Sequence, residues 1–215
     1  ACAQGWISPR AMRNGIIVTV LFACLIGSAL LFYAGWELII VGLLCVLFAF
    51  LYTTGPYPLS YNGWGDVLVI VFFGFVPVGG TYYVQALTWT SDTTVASLIC
   101  GLLIDTLLVV NNYRDREADA RSGKRTVIVR FGEKFGRYLY LMLGVAASLL
   151  CFWFFFEGHL FAALLPLLYL IPHVLTWRRM VQIHSGKKLN SILGETSRNM
   201  LLMGILLSIG FLIRH

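Results

Sequence analysis

The stretch TTVASLICGLLIDTLLVVNN, residues 93–112, decides the fold class, because its twenty residues include a single charged side chain, Asp105. A helix of about 20 apolar residues has the length needed to cross a hydrocarbon core about 30 Å thick. None of the apolar runs in the chain alternates with period two, as the strands of a membrane barrel would. The sequence therefore predicts an all-α, polytopic transmembrane helical bundle of about seven helices. The other six predicted spans are 15–35, 36–53, 66–88, 136–156, 159–177 and 199–213.

The overall composition supports the same fold class. The chain is 59% hydrophobic and only 12% charged, whereas a soluble domain carries about 25% charged residues to face water. We therefore expect the lipid bilayer to be the solvent for much of the surface. The formal net charge of +6 would suggest a nucleic-acid partner in a soluble domain, but in a membrane protein it raises the question of which loops are basic. We expect no nucleic-acid partner.

The basic residues show a strong asymmetry between the two ends of the predicted spans. Fifteen of the sixteen Lys and Arg residues precede the first span or follow the fourth and sixth spans. The positive-inside rule then places the N-terminus and the long loops in the cytoplasm. We expect a multi-pass protein of a bacterial inner (plasma) membrane. The fifteen residues are Arg10, Arg13, Arg114, Arg116, Arg121, Lys124, Arg125, Arg130, Lys134, Arg137, Arg178, Arg179, Lys187, Lys188 and Arg198.

The densest polar segment, residues 111–126, begins where the fourth predicted span ends. If the helix continues by one turn, Asp115 and Asp119 lie on one face at i and i+4, where like charges repel. Such a pair suits Mg²⁺, which is often bound by one or two carboxylates together with substrate phosphates. Asn111 and Asn112 add amide oxygens one turn earlier.

The same segment ends in positive charge. Lys124 and Arg125 could hold a diphosphate and stabilise it as it leaves. The alternative is an ordinary solvated loop whose charges have no function. We expect residues 113–135 to form a cytoplasmic loop within a single transmembrane domain over residues 1–215.

Two further carboxylates are candidates. Asp66 follows a turn-rich segment, 52–65, and begins the next predicted helix, so it is equally well explained as an N-cap or as a functional carboxylate. Asp105 lies ten residues before Asp115 and therefore about 15 Å deeper in the membrane. An ionisable group at that depth should face the bundle interior or a wet cavity. A cavity role and a structural role are equally open for Asp105.

The remaining polar residues give weaker signals. The four histidines form no metal-ligand pattern, and we expect core or interface roles for them. Glu195 and Arg198 are expected to pair at the surface near the start of the last helix.

Taken together, these motifs resemble those of the UbiA superfamily of membrane prenyltransferases. The segment NNxRDxxxDxxxGKRT over 111–126 is similar to the second aspartate motif of that superfamily. The details are most similar to its 1,4-dihydroxy-2-naphthoate polyprenyltransferase (MenA) branch. The supporting features are Tyr52-Thr53-x-Gly55, Pro58, YxGxGD over 61–66, FFG over 72–74, and Gln85.

The resemblance implies nine transmembrane helices around a central cavity, with two aspartate motifs that help Mg²⁺ to hold the diphosphate of an isoprenoid donor. The first motif, expected between the second and third helices of the family, is absent from this sequence. The seven predicted spans would then be the third to ninth helices. The resemblance therefore implies a C-terminal fragment, which we expect to be inactive alone.

The resemblance also implies a reaction. A polyprenyl group passes from a polyprenyl diphosphate to 1,4-dihydroxy-2-naphthoate, with loss of carbon dioxide, giving demethylmenaquinone. Asp66 would orient or deprotonate the acceptor. The implied catalytic residues are Asp66, Lys124 and Arg125; the implied metal ligands are Asp115, Asp119 and Asn112; the implied substrate-binding residues are Asn111, Asn112, Arg114, Lys124, Arg125, Tyr52, Tyr61 and Asp105.

Three alternatives stay open at this point. One is an enzyme of the same superfamily with another aromatic acceptor, such as 4-hydroxybenzoate. Another is a transporter in which Asp105 is a translocation carboxylate, although the sequence lacks the inverted repeats and broken helices of such proteins. The third is a membrane scaffold without catalytic activity.

Overall fold

A computed structural model describes residues 2 and 4–213. This part of the chain is helical and contains no strand, which confirms the all-α prediction. Six helical spans are long and apolar enough to cross a membrane, and a seventh, Glu37–Thr53, is shorter. The seven are α1 (Pro9–Phe32), α2 (Glu37–Thr53), α3 (Gly65–Ala86), α4 (Ser91–Arg121), α5 (Val127–Phe156), α6 (Leu160–Ile183) and α7 (Lys187–Leu212).

Two predicted boundaries differ from the structure. The segment 113–135 was expected to be a loop, but α4 continues to Arg121 and α5 begins at Val127. The turn is short because Thr126 caps α5, its Oγ1 accepting a hydrogen bond of 3.3 Å from the backbone N–H of Val129. The last helix begins well before residue 199, because its first turns are buried against the other helices at Leu189 and Ile192.

The helix α3 is not a regular α-helix along its whole length. Its middle, Ile70–Gly79, has π-helical hydrogen bonding and contains Pro77. Proline lacks an N–H donor and its ring clashes with the preceding turn of an α-helix, so α-helical hydrogen bonding is disfavoured around Pro77. The predicted span over 66–88 thus remains one continuous helical span.

The close packing of α3 against α4 sets the register of the bundle. A Cβ atom added to Gly74 would lie 2.5 Å from the carbonyl oxygen of Ser97 and 2.8 Å from Cα of Gly101. A Cβ atom added to Gly101 would lie 2.9 Å from the carbonyl oxygen of Ile70. The two helices run antiparallel, so the same register brings Asp66 opposite Asp105, one helical turn further along.

The core lies between α4, α5, α6 and α7, whereas α1 and α2 contain no buried residue. This distribution fits a bundle whose outer helices face lipid, because apolar side chains there need no protein partner. One core cluster consists of Ile99, Leu103, Ala147, Cys151, Phe154, Ala162, Tyr169, Met203 and Leu207. The other, nearer the polar turns, consists of Val109, Val110, Tyr113, Ile128, Tyr140, Leu143, Met180, Leu189 and Ile192.

A buried histidine links these helices. The ring of His173 is fully buried and stacks on Tyr140, with ring centroids 4.7 Å apart. Its Nδ1 lies 2.9 Å from the Tyr169 hydroxyl and its Nε2 lies 3.2 Å from the carbonyl oxygen of Leu141. Both ring nitrogens therefore have partners, which confirms the expected core role for this histidine.

We predict that Gly101→Ala lowers the stability of the bundle by about 1–3 kcal/mol, because the added methyl group overpacks the backbone contact with Ile70. Gly204→Ala is the matched control, since Gly204 has open space at its Cβ position and alanine favours a helix by up to about 1 kcal/mol over glycine. Midpoints of unfolding in detergent measure both effects. Equal midpoints for the two variants would contradict the close α3–α4 contact.

Candidate active site

Two loops meet at one end of the bundle, as the alternation of spans predicted. The backbone N–H of Arg125, in the α4–α5 turn, donates a hydrogen bond of 2.8 Å to the carbonyl oxygen of Tyr61, in the α2–α3 loop. The guanidinium of Arg130 donates to the carbonyl oxygens of Asn62 (2.7 Å) and Arg125 (3.1 Å). Gly63 has φ +80°, and a Cβ there would lie 3.0 Å from the carbonyl oxygen of Arg125. A side chain at this position would push the loops apart.

The two loops and α4 enclose a small polar cavity of about 10 Å³. This volume is close to the minimum for one water molecule. Four residues that the sequence analysis selected thus lie together: Tyr52, Asp66, Asn112 and Lys124. The cavity is also lined by Ser60, Gly63, Gly65 and Thr126.

Two carboxyl oxygens near this cavity have no hydrogen-bond partner. Oδ1 of Asp66 and Oδ1 of Asp105 are both buried and unpaired among the described residues. Asp105 is 1% exposed, and its carboxyl group interacts electrostatically with that of Asp66. The N-cap of α3 is Trp64, and Asp66 lies in the first turn. The N-cap explanation of Asp66 is therefore wrong, and its unpaired oxygen is available to a ligand.

The helix α4 carries a polar stripe that leads from Asp105 to the loops. At about 100° per residue, Asp105, Asn112, Asp115 and Asp119 lie within about 80° of one another around the helix. The four side chains therefore lie on the same face of α4 as Gly101, which contacts α3. The continuation of α4 to Arg121 confirms that the two motif aspartates share a face.

Arg114 fixes the position of Asp115, the first aspartate of the motif. Its guanidinium donates two hydrogen bonds to Asp115, of 2.7 and 2.6 Å, and one of 2.8 Å to Oδ1 of Asn111. A fourth hydrogen bond, of 2.9 Å, reaches Oδ1 of Asn190 at the start of α7. Bidentate pairing of arginine with a carboxylate fixes orientation as well as charge, so Asp115 is held in one position.

Lys124 makes the matching contact to the second motif aspartate. Its Nζ lies 3.3 Å from Oδ2 of Asp119, and its backbone N–H donates a hydrogen bond of 2.9 Å to the carbonyl oxygen of the same residue. Because Lys124 also lines the cavity, it connects the aspartate stripe to Asp66. A phosphate group that enters here would meet an ammonium group already in place.

The donor set fits Mg²⁺ only in part. Among the residues that the structure describes, no three His, Cys, Asp or Glu side chains are grouped as a metal site. Two carboxylates and one amide on a single helix face are nevertheless the hard oxygen donors that Mg²⁺ prefers, and the ion commonly completes its shell with substrate phosphates and water. Asp115, Asp119 and Asn112 therefore suit a metal that arrives with a diphosphate.

Two predicted site residues point away from the cavity. The side chains of Tyr61 and Arg125 are exposed, and only their backbone groups join the two loops. Both residues lie in the loops at the entrance to the cavity, where they could contact a ligand that projects from the bundle.

Four residues that build the site were given no role in it from the sequence. Ser60 donates a hydrogen bond of 2.6 Å to the carbonyl oxygen of Tyr52, and Thr126 both caps α5 and lines the cavity. From the sequence, Arg130 was counted only among the basic loop residues. Asn190, which accepts a hydrogen bond from Arg114, lies 76 positions away in the sequence. Threonine is a preferred N-cap residue before an apolar run and could have indicated Thr126, but no local pattern predicts contacts between distant loops.

We predict that Arg130→Gln loosens the junction of the two loops, because the variant cannot make both hydrogen bonds to the carbonyl oxygens of Asn62 and Arg125. Hydrogen exchange at the backbone N–H of Arg125 should become at least about tenfold faster. This change corresponds to a loss of at least about 1.4 kcal/mol in the free energy of local opening. Arg121→Gln, at the exposed end of α4, controls for the lost charge. Hydrogen exchange followed by mass spectrometry measures both, and equal protection in both variants would contradict the role of Arg130.

Comparison with known proteins agrees with the resemblance found in the motifs. The sequence profile of the UbiA prenyltransferase family matches residues 1–209. A 1,4-dihydroxy-2-naphthoate octaprenyltransferase of Haemophilus influenzae is 36% identical over 98% of this chain and 70% of its own length. Proteins of the same name from Escherichia coli and Mycobacterium leprae are 38% and 39% identical, over 69% and 66% of this chain.

The matched regions cover 50% of the Escherichia coli protein and 48% of the Mycobacterium leprae protein. No solved structure matches the chain significantly. The transporter and scaffold interpretations receive no support from any of these matches. By its family profile and by its relatives, the chain belongs to the UbiA prenyltransferase family.

Proposed function

We propose that the protein containing this chain transfers a polyprenyl group from a polyprenyl diphosphate to 1,4-dihydroxy-2-naphthoate, forming the demethylmenaquinone skeleton. The polar stripe of α4 that ends at Lys124 is the observation that carries the proposal. It offers carboxylates and an ammonium group for a diphosphate within a helical bundle that can hold an apolar chain. The names of the most similar relatives reported above support the naphthoate as acceptor.

The diphosphate of the donor would bind at the end of the stripe. Asp115 and Asp119, with Asn112, would hold Mg²⁺, while Lys124 and Arg114 would donate hydrogen bonds to phosphate oxygens. When bound, the metal supplies positive charge that neutralises the diphosphate leaving group. In the ligand-free chain, Arg114 and Lys124 pair with Asp115 and Asp119. These ion pairs compensate the charges of the four side chains in the chain without ligands.

The acceptor would bind next to the leaving diphosphate, on the side of Asp66. The unpaired Oδ1 of Asp66 is suited to accept the proton of an acceptor hydroxyl, which raises the electron density of the ring that attacks the allylic carbon. Asp105 and Tyr52 would complete the polar wall of this pocket. A bond would form between the ring and the allylic carbon while the bond between the allylic carbon and the diphosphate breaks. The ring carboxylate would leave as carbon dioxide, and the proton held by Asp66 would return to the hydroxyl of the prenylated naphthoquinol.

We further propose that this end of the bundle faces the cytoplasm of a bacterial cell. The loops that carry nearly all basic residues belong to one end, since Arg125 contacts the α2–α3 loop and Arg114 contacts the start of α7. The positive-inside rule supports this orientation. The diphosphate of the membrane-held donor and the polar acceptor would then reach the site from the cytoplasmic face of the membrane.

We predict that Asp115→Asn and Asp119→Asn each lower kcat for prenyl transfer to 1,4-dihydroxy-2-naphthoate by at least about 100-fold, the size typical of a lost charge-stabilising contact in a transition state. Glu117→Gln on the same helix is the control, because Glu117 is exposed and lies off the stripe. The assay uses membranes containing the whole gene product with added Mg²⁺. Near-normal turnover of either asparagine variant, or turnover that persists in EDTA, would remove the metal assignment.

We predict that Asp105→Asn lowers kcat/KM for the naphthoate by about tenfold, the loss expected for a hydrogen bond to a charged group, with the KM of the donor unchanged. Ser97→Ala is the matched control: Ser97 is also fully buried on α4 with an unpaired side-chain oxygen, but it lies eight residues from Asp105, where its carbonyl oxygen faces Gly74. Steady-state kinetics with each substrate varied separately measure the effect. If both variants behave like the wild type, Asp105 has only a structural role.

A further inference from the structure

A second polar feature lies between α6 and α7, apart from the site described above. It is an open groove of about 460 Å³. The side chains that give it its chemical character are Arg178, Arg179, Gln182 and Arg198, together with Pro172 and Leu175. None of the residues that line this groove also lines the cavity next to Asp66.

The charges of the groove are only partly compensated. Glu195 was expected to pair with Arg198, but it is buried and makes its ion pair with Arg179, at 2.6 Å. The expectation fails because Glu195 points toward α6, where Arg179 lies. Arg178 and Arg198 are exposed and have no carboxylate within 4.0 Å in residues 4–213. Two guanidinium groups in one groove therefore lack an anionic partner.

The position of Arg198 along α7 makes this lack of a partner costly. The apolar part of α7 after Arg198, residues 199–212, is about 21 Å long at about 1.5 Å per residue, which is shorter than a hydrocarbon core of about 30 Å. Arg198, which precedes this segment, is therefore expected at or just inside the hydrocarbon boundary. Charged side chains at this depth are costly unless they reach an anion or the lipid head groups.

The part of the groove nearer the middle of α6 is apolar. Pro172 and Leu175 line it, while the polar groups beside them are already satisfied, since Nδ2 of Asn199 donates a hydrogen bond of 2.9 Å to Oγ1 of Thr176. A ligand for this groove thus needs an anionic group to pair with the two arginines and an apolar chain to pack against Pro172 and Leu175.

We propose that the groove binds an anionic phospholipid of the surrounding leaflet. Its phosphate accepts hydrogen bonds from Arg178 and Arg198, and one acyl chain lies against Pro172 and Leu175. Arginine suits this role because its planar guanidinium binds phosphate oxygens in pairs. The lipid supplies the counter-charge that the protein itself does not place in the groove. This inference depends on the membrane environment and not on the proposed reaction.

The whole gene product is placed in nanodiscs of equal parts phosphatidylcholine and phosphatidylglycerol. Native mass spectrometry of the protein released from them measures the dissociation constant of phosphatidylglycerol. We expect the double variant Arg178→Gln/Arg198→Gln to bind phosphatidylglycerol at least about tenfold more weakly, given the attraction of each basic residue for anionic lipid. Lys187→Gln/Lys188→Gln is the matched control. It removes the same charge from exposed residues at the start of α7 that do not line the groove.

If phosphatidylglycerol binds equally weakly to both double variants, the attraction to the membrane is diffuse. If its binding is weakened in neither, the groove binds no anionic lipid. Each result overturns the proposal. If the glutamine variant does not fold, Arg178→Lys/Arg198→Lys replaces it. Paired hydrogen bonds to phosphate are lost with lysine while the charge is kept, so affinity must still fall. Displacement of the lipid by Mg²⁺ and inorganic pyrophosphate would assign the groove to the donor and would also overturn the proposal.

Discussion

The whole arrangement depends on the backbone contact between α3 and α4, where Gly74 and Gly101 leave no room for a side chain. In a bilayer, apolar side chains gain little by leaving lipid, so helices associate through close packing and interhelical polar contacts. This contact fixes the register of two antiparallel helices. It therefore brings Asp66 opposite Asp105 and holds the α2–α3 loop above the end of α4. The candidate site is a consequence of two glycines that take no part in chemistry.

Next to the candidate site, several charged side chains have a partner of opposite charge or a backbone acceptor. Arg114 and Lys124 neutralise the motif aspartates of α4, and the guanidinium of Arg130 holds the two loops together through backbone carbonyl groups. Among the described residues, four groups without a partner stand out by their position: the buried carboxyl oxygens of Asp66 and Asp105, and the guanidinium groups of Arg178 and Arg198 in the α6–α7 groove. Unpaired polar atoms are expensive at these depths. They mark the places where ligands, substrate or lipid, are expected to complete the structure.

Much of the fold was predictable because lipid as a solvent imposes a simple pattern on sequence. The number of spans, their alternation and the shared end of the basic loops followed from hydropathy and charge. Helix ends were less predictable: the helix-forming residues after Tyr113 extend α4, and buried side chains such as Ile192 lengthen α7. The motif aspartates and Lys124 were predicted from local spacing. Arg130, Asn190 and the Arg179–Glu195 pair were missed or mispaired, because such contacts depend on packing between residues far apart in sequence.

The most direct test of the central claim is a comparison of acceptors in membranes that contain the whole gene product, with Mg²⁺ and a long-chain polyprenyl diphosphate. The relatives and the Tyr52 loop lead us to expect a prenylated, decarboxylated naphthoquinol from 1,4-dihydroxy-2-naphthoate and no product from 4-hydroxybenzoate. Product from the benzoate alone would contradict the assigned acceptor while leaving the diphosphate site in place. Absence of product from both would contradict the proposed function.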